Sequence, residues 1–191
     1  GTLREALAEL KRRNYIATQS GVGSIVTFDG MVLDQASGWA PALAATGALI
    51  TTDVLRLEAV TRSDLLNRFG SDQFIALDRR RRTTDGTAVS LERSLMPASG
   101  SLESLPRVGL IDNSLTITLA AYGYVGADGD QWIGAEPLSD EDAELLGRPV
   151  GTVFLKASRT TFDRRGRFME YVESVLDPVH FRLHLQFGTA K

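Results

Sequence analysis

Extended segments rich in β-branched and aromatic residues recur along most of the chain, with short helical segments between them. Runs of this composition, bounded by glycine, proline or aspartate, are typical of strands. Adjacent strands interspersed with short helices predict an α+β fold with a mainly antiparallel sheet and flanking helices. The predicted strands are Val54–Thr61, Gln73–Thr83, Ala88–Met96, Trp132–Pro137, Thr152–Thr161, Phe168–Leu176 and Val179–Phe187.

Four segments carry helical signals, of which Ser139–Leu146 has the strongest. Ser139 can cap its N-terminus, acidic residues fill the first turn where the helix dipole favours anions, and Gly147 can end it. The other predicted helices are Pro41–Thr46, Ser63–Phe69 and Ser114–Tyr122.

The composition excludes several classes of site. The chain has no cysteine, so a zinc finger, a thiol nucleophile and a disulfide scaffold are ruled out within it. Its histidines, His180 and His184, lie on the polar face of the last predicted strand, about 13 Å apart by strand rise, so we predict no metal site. The longest apolar stretch, Trp39–Ile50, is too short to span a membrane, and no signal peptide is recognisable. We therefore expect a cytoplasmic protein without membrane partners.

The first thirty residues combine an amphipathic helix with a glycine-rich hairpin. Leu3, Leu7 and Leu10 form one apolar stripe at helical spacing, and strand-like residues flank the turn Gln19–Gly23. This segment resembles the C-terminal half of a GntR-type winged helix-turn-helix. The resemblance implies a recognition helix in the major groove and a wing in the minor groove. It places DNA contacts at Thr2, Arg4, Gln19, Ser20 and Gly21.

One other interpretation of this segment, and the net charge of the chain, bear on the DNA prediction. The basic residues of the helix could simply solvate its polar face, in part paired with Glu5 and Glu9. The formal net charge of −3 also means that any DNA contact must be local to this end. A complete winged helix needs helices before Thr2, so we expect the natural chain to continue upstream.

A dense basic run, Asp78–Gly86, ends in a hairpin signal. In a strand, Arg80 and Arg82 project to one face while Arg79 and Arg81 project to the other. One pair could therefore face a pocket while the other faces water or pairs with acids.

From here on the chain resembles the UTRA effector-binding domain of the HutC subfamily of GntR regulators. Separated stretches carry the resemblance in the family's order: Arg80–Gly86, Leu91–Ser94, Asn113–Leu115, Tyr122–Gly123, Arg159–Asp163, Gly166 and Met169–Tyr171. It implies a chorismate-lyase-like fold for an effector-binding and dimerisation domain over residues 31–191, after the DNA-binding part in residues 1–30. The predicted protein is a homodimeric regulator, most simply a repressor, that needs no cofactor.

The resemblance also implies an effector site. Arg80 and Arg82 would hold an anionic group together with Ser114, and Glu92 and Glu170 would accept hydrogen bonds from hydroxyl or amino groups. Effectors of the family are phosphorylated sugars in some members and carboxylates in others. Two departures, at Thr116 and Leu176, imply a different ligand or a roomier pocket. A further candidate source of backbone donors is the loop Thr46–Thr51.

The hairpin geometry bears on this grouping. A two-residue turn at Asp85–Gly86 would place Glu92 opposite Arg79, on the face away from Arg80. A three-residue loop with left-handed Gly86 pairs Thr83 with Thr87 and brings Glu92 to the face of Arg80 and Arg82. We predict the longer loop.

Structural roles compete with these functional ones. Glu92 and Glu170 could be sheet partners of Arg80 and Arg159, Ser114 could be a helix cap, and Trp132 is expected to pack rather than to stack on a ligand. At the level of the whole chain, two carboxylates near two arginines could serve an enzyme, and the domain could also be a dimerisation module that senses nothing. We predict a regulator and not an enzyme, because no nucleophile elbow, phosphate-binding glycine motif or metal-ligand cluster is recognisable.

Overall fold

The computed structural model describes residues 24–28, 31–32 and 50–185, with side chains described for residues 50–182. A six-stranded antiparallel sheet with the order β3-β4-β5-β8-β7-β6 forms its centre. The strands of this central sheet are β3 (Ile50–Thr61), β4 (Gln73–Thr83), β5 (Ala88–Pro97), β6 (Gly126–Pro137), β7 (Val153–Asp163) and β8 (Phe168–Leu176). A smaller sheet joins β1 (Ser24–Phe28) to both β2 (Met31–Val32) and β9 (Phe181–Leu185).

Short helices connect these strands. The turn Ser63–Leu65 leads into α1 (Leu66–Phe69), Gly100–Ser104 leads into α2 (Leu105–Val108), and Ile111–Asn113 precedes α3 (Leu115–Ala121). The last helix, α4 (Asp140–Leu146), has the predicted caps: the Ser139 hydroxyl accepts the N–H of Asp142, and Gly147 is left-handed. No helix in the described part of the chain is long and apolar enough to cross a membrane.

The central sheet is covered on both faces. On one side, here called the α3 face, sheet residues such as Ile75 and Leu77 pack against the residues of α2 and α3. On the opposite side, the α4 face, Leu91 and Phe154 pack against α4. A third apolar group, Val89, Ala157, Leu176 and Phe181, lies at the start of β9. Two apolar groups thus cover the α3 face. One packs against the helices α2 and α3, and the other includes Phe181, where the chain enters the smaller sheet.

The hairpin between β4 and β5 confirms one prediction and corrects another. The Thr83 N–H donates to the Thr87 carbonyl at 2.9 Å, and Gly86 has φ +89°, as the three-residue loop requires. The pairing then shifts, because Arg82 lies opposite Ala88 while Arg81 lies opposite Ser90. The extra residue, Val89, is a β-bulge, and it reverses the faces of all later residues of β5.

The expectation that Glu92 shares a face with Arg80 and Arg82 is therefore wrong. Glu92 lies opposite Arg79 instead. The physical cause is the burial of Val89, which packs against Leu176 and Phe181 while its carbonyl accepts the N–H of Asp177 at 3.0 Å.

The remaining elements agree with the predictions, with a few differences. The predicted α+β architecture and each predicted strand of the central sheet are confirmed, although β6 begins earlier than expected. Trp132 on β6 is 73% exposed, so the expectation that it packs is wrong. β9 begins at Phe181, which leaves His180 in the preceding turn. The helix α2 was not predicted from the sequence.

The predicted DNA-binding segment is described only at its end. Thr2, Arg4, Gln19, Ser20 and Gly21 lie outside the described residues, as does the predicted helix Pro41–Thr46. The predicted wing strand Ser24–Thr27 corresponds to β1, which pairs with β2 and with β9.

Candidate functional site

A cluster of five charged side chains lies on the α3 face, where the apolar residues of β4 and β5 end. Its members, called the charged cluster below, are Arg79, Arg81, Glu92, Arg159 and Glu170. Strand alternation places Arg79 and Arg81 on the same side as Ile75 and Leu77, and the bulge at Val89 turns Glu92 toward them. The sheet face therefore changes from apolar to charged within one strand.

Glu92 is the centre of this cluster. Its Oε2 atom accepts a hydrogen bond from Nη2 of Arg79 at 2.8 Å and lies 2.8 Å from Nη1 of Arg81. The side chains of Arg79, Arg81 and Glu92 are 8%, 2% and 5% exposed. Next to them, Nη2 of Arg159 lies 3.5 Å from Oε2 of Glu170. The contact agrees with the alternative in which Glu170 is a sheet partner of Arg159, whereas the sheet partners of Glu92 are Arg79 and Arg81 rather than Arg80.

The arginines keep Glu92 ionised. Burial alone would raise the pKa of Glu92, but the charges of Arg81 and Arg79 and the hydrogen bond from Arg81 outweigh burial, so the pKa lies below its usual value. The cluster contains three arginines and two glutamates, a formal net charge of +1. A buried region with this surplus favours the entry of an anion.

A small cavity adjoins the cluster. Its volume is about 10 Å³, space for one water molecule, and its walls are Glu92, Gln131, Ala157, Arg159, Val172 and Ser174. Nε of Arg79 and Nε of Arg159 are buried and have no hydrogen-bond partner among the described residues. Buried donors of this kind are costly unless a water or a ligand satisfies them. The cluster thus offers unused N–H donors beside a small cavity.

The predicted arginine pair lies elsewhere. Arg80 and Arg82 project to the α4 face, where both bind Asp53: Nε and Nη2 of Arg82 donate to its two carboxylate oxygens at 2.8 Å each. Nη1 of Arg80 donates to the carbonyl of Leu145 at 3.1 Å. The hydrogen bond from Arg82 lowers the pKa of Asp53 in spite of some desolvation. The structure therefore separates Arg80 and Arg82 from Glu92 and joins them to β3 and α4.

Ser114 lies on the other side, at the start of α3. Its hydroxyl is buried and accepts the N–H of Ile117 at 3.3 Å, which is the role of a helix cap. The preceding residue, Asn113, donates from its amide to the carbonyl of Thr52 at 3.2 Å, and Thr52 lies opposite Arg81 in the sheet. Ser114, Glu92 and Glu170 thus belong to one side of the sheet.

Four residues of this site were not predicted from the sequence: Arg79, Arg81, Gln131 and Ser174. Alternation did predict that the odd-numbered arginines face away from the even-numbered ones, and it left open which pair faces a pocket. The sequence signal that could have settled this is the adjacent apolar pair Ala88 and Val89 at the start of β5, which breaks the alternation where the bulge lies. Of the two departures from the family pattern, Leu176 packs against Val89 and Phe181 and opens no space there.

This arrangement suits binding better than chemistry. Arginines offer forked donors to a phosphate or carboxylate, and the glutamates can accept from hydroxyl or amino groups of the same ligand. Within the described part of the chain, no group of histidine, aspartate and glutamate side chains is arranged to hold a metal ion.

Comparison with known proteins agrees with this picture. The family model of the UTRA domain matches residues 46–182. No curated protein sequence matches the chain. The fold is similar to the effector domain of PhnF from Mycobacterium smegmatis, with 20% identity and a TM-score of 0.68 over 76% of this chain and 91% of that chain.

Two further solved structures share the fold. A GntR-family transcriptional regulator from Enterococcus faecalis V583 is 21% identical, with a TM-score of 0.61 over 72% of this chain and 100% of that chain. PhnF from Mycobacterium smegmatis, in a second structure, is 19% identical, with a TM-score of 0.64 over 93% of this chain and 80% of that chain.

Proposed function

The chain belongs to the UTRA family, and from this premise we propose that it senses a small anionic metabolite as part of a GntR-type transcription regulator of the HutC subfamily. The observation that carries the proposal is the charged cluster, because a buried surplus of arginine beside a cavity is expected where an anion binds. The family is one of regulators and not of enzymes, which confirms the prediction that the chain is not an enzyme.

The proposed effector site is the charged cluster, in place of the site predicted from Arg80 and Arg82. Arg159 is its most accessible cation, with a side chain 27% exposed, and it is held by one long contact to Glu170. An effector phosphate or carboxylate would bind to Arg159 and approach Arg79 and Arg81, while Glu92 and Glu170 accept from its polar substituents. The cavity holds about one water, so an effector larger than a water molecule needs more room than this cavity provides.

The DNA-binding role is the second part of the proposal. Residues 1–30 would supply the recognition helix and the wing, with contacts from Thr2, Arg4, Gln19, Ser20 and Gly21. Support comes from the second PhnF structure, whose similarity extends over 93% of this chain. In this proposal two copies of the chain place two such heads on an operator in the bacterial cytoplasm, and effector binding changes their spacing and releases the DNA.

A thermal-shift screen tests the sensor proposal. The panel contains sugar phosphates, sugar acids, dicarboxylates and neutral sugars, and Arg159→Ala and Arg80→Ala are run beside the unaltered chain. A ligand at a hundredfold excess over its Kd adds about 2.7 kcal/mol, which raises the melting temperature by roughly 5 to 10 °C in a chain of this length.

The proposal predicts a shift from one class of anions that Arg159→Ala abolishes and Arg80→Ala retains. A shift produced equally by the neutral sugars, or one lost in Arg80→Ala alone, would contradict the site. If no compound raises the melting temperature of the chain, a dimerisation module that senses no ligand becomes the better interpretation.

A further inference from the structure

β3 is an open edge of the central sheet. It is the first strand in the sheet order and is twelve residues long, and within the described ranges no strand pairs with its outer side. Val54 and Leu55 are 42% and 40% exposed along it. Proteins either protect long edge strands with apolar side chains from pairing, or use them to pair with another chain.

The apolar surface continues beyond the strand. α2 packs beside β3 and leaves Val108 exposed at its end, and Ile111 is exposed in the next turn. The link from Asn113 to the carbonyl of Thr52 holds this turn against the same edge. Exposed apolar side chains therefore lie both on the open strand and on the helix and turn beside it, which indicates an interaction surface.

We propose that β3 pairs antiparallel with β3 of a second copy of this chain, about a two-fold axis at Leu57. The inference rests on the homodimer of the proposed function, and it assigns β3 as the surface through which the two copies bind each other. With Leu57 opposite Leu57 of the other copy, Arg56 lies opposite Glu58, and Glu58 opposite Arg56. Leu55 is a bulge residue and drops out of the register, so Val54 lies opposite Ala59.

Charge complementarity selects this register. Arg56 and Glu58 have side chains 44% and 58% exposed, and within one chain they form an ion pair of 2.7 Å. In the proposed dimer Arg56 of each copy faces Glu58 of the other, so the pair occurs twice, because a two-fold interface repeats every contact. Opposite charges directly across two strands stabilise their pairing.

The other edge of the sheet does not fit a second copy. β6 carries Asp128, Asp130 and Glu136 and has no basic residue. Antiparallel pairing of β6 with itself brings acidic side chains of the two copies together, and like charges across strands oppose pairing. Of the two edges of the central sheet, β3 alone has complementary charges.

Cysteine cross-linking tests the register directly, because these 191 residues contain no cysteine. In Leu57→Cys the two new thiols lie opposite each other, where Cα atoms of paired residues are about 4.5 to 5.5 Å apart, within the range of a disulfide. We expect mild oxidation to give a covalent dimer. Ala59→Cys, two residues away on the same strand, and Trp132→Cys, on the opposite edge, are the matched controls.

The outcomes separate the surface from the dimer itself. Cross-linking of Leu57→Cys and not of the controls supports β3 pairing. Light scattering shows separately whether the chain is dimeric. If it is dimeric, and Trp132→Cys cross-links while Leu57→Cys does not, the assigned surface is wrong but the dimer is supported. A chain that is monomeric at all concentrations overturns both.

Charge reversal gives an independent measurement. Glu58→Arg places arginine opposite arginine in both pairs, and we expect the dimer dissociation constant to rise about tenfold or more. The double variant Arg56→Glu with Glu58→Arg reverses both charges and is expected to recover most of the affinity. The proposed pairing would be contradicted if the single and the double variant weakened dimerisation equally while the melting temperature of each variant stayed unchanged.

Discussion

Replacement of Glu92 by alanine removes the one carboxylate that binds both Arg79 and Arg81. These arginines are 8% and 2% exposed, so the variant leaves two cations side by side in the interior. Loss of one partner from a buried ion pair costs about 3 to 5 kcal/mol. For a chain of this length, 1 kcal/mol corresponds to about 2 to 4 °C, so the melting temperature is expected to fall by roughly 6 to 20 °C.

Urea denaturation followed by circular dichroism measures this change in the free energy of unfolding. The matched control is Glu136→Ala on β6, whose side chain is 59% exposed and whose loss should change stability by at most about 1 kcal/mol. A loss of less than about 1 kcal/mol for Glu92→Ala would refute the view that Glu92 compensates the buried arginines.

The pH dependence of the same difference has a definite sign. The pKa of Glu92 is lower in the folded chain than its ordinary value, so its contribution is complete above the ordinary glutamate pKa. It is lost as the pH falls through the folded value. The stability difference between the natural chain and Glu92→Ala should therefore be constant near neutral pH and shrink in acid. A difference that grows in acid would contradict this assignment.

Three further predictions concern single positions. Gly129→Ala places a Cβ atom against a backbone carbonyl of β7, so we expect a clear fall in the melting temperature, and an unchanged value would show that the strands separate easily. Ser139→Ala removes the cap of α4 and should cost about 1 kcal/mol in urea denaturation, with Ser101→Ala, which caps nothing, as a neutral control. Hydrogen bonds from the Thr83 hydroxyl and from Thr87 hold the pKa of Asp85 at about 2, and an NMR titration that finds an ordinary aspartate pKa would contradict the loop geometry.

Much of the fold follows from local patterns. The helix after Ser139 was predicted because a cap, an acidic first turn and a terminal glycine coincide, and each is a short-range effect. The strands Gln73–Thr83 and Phe168–Leu176 were predicted with the bounds that they have, since their ends coincide with turn residues. The order of strands in the sheet, in which β5 neighbours β8, depends on long-range contacts that no local pattern encodes.

The site was harder to predict because the single bulge residue Val89 decides which side chains share a face of the sheet. The three-residue loop was predicted correctly, but the reason for choosing it was the expectation that it would bring Glu92 to the face of Arg80 and Arg82, which the bulge at Val89 prevents. The bulge arises from packing against Leu176 and Phe181, residues distant in sequence. A shift of one residue in pairing exchanges the two faces of a strand, so a small error in register becomes a complete error in the composition of the site.

The most direct test of the account is calorimetric titration of an anionic compound found in the screen into the natural chain, Arg159→Ala and Arg82→Ala. A charged hydrogen bond contributes about 1.5 to 3 kcal/mol, so the account predicts a loss of at least about tenfold in affinity for Arg159→Ala. Arg82 binds Asp53 on the opposite face, and Arg82→Ala should retain the affinity within about threefold. Loss of binding in Arg82→Ala with full binding in Arg159→Ala would contradict the account and return the effector site to the arginines predicted from the sequence.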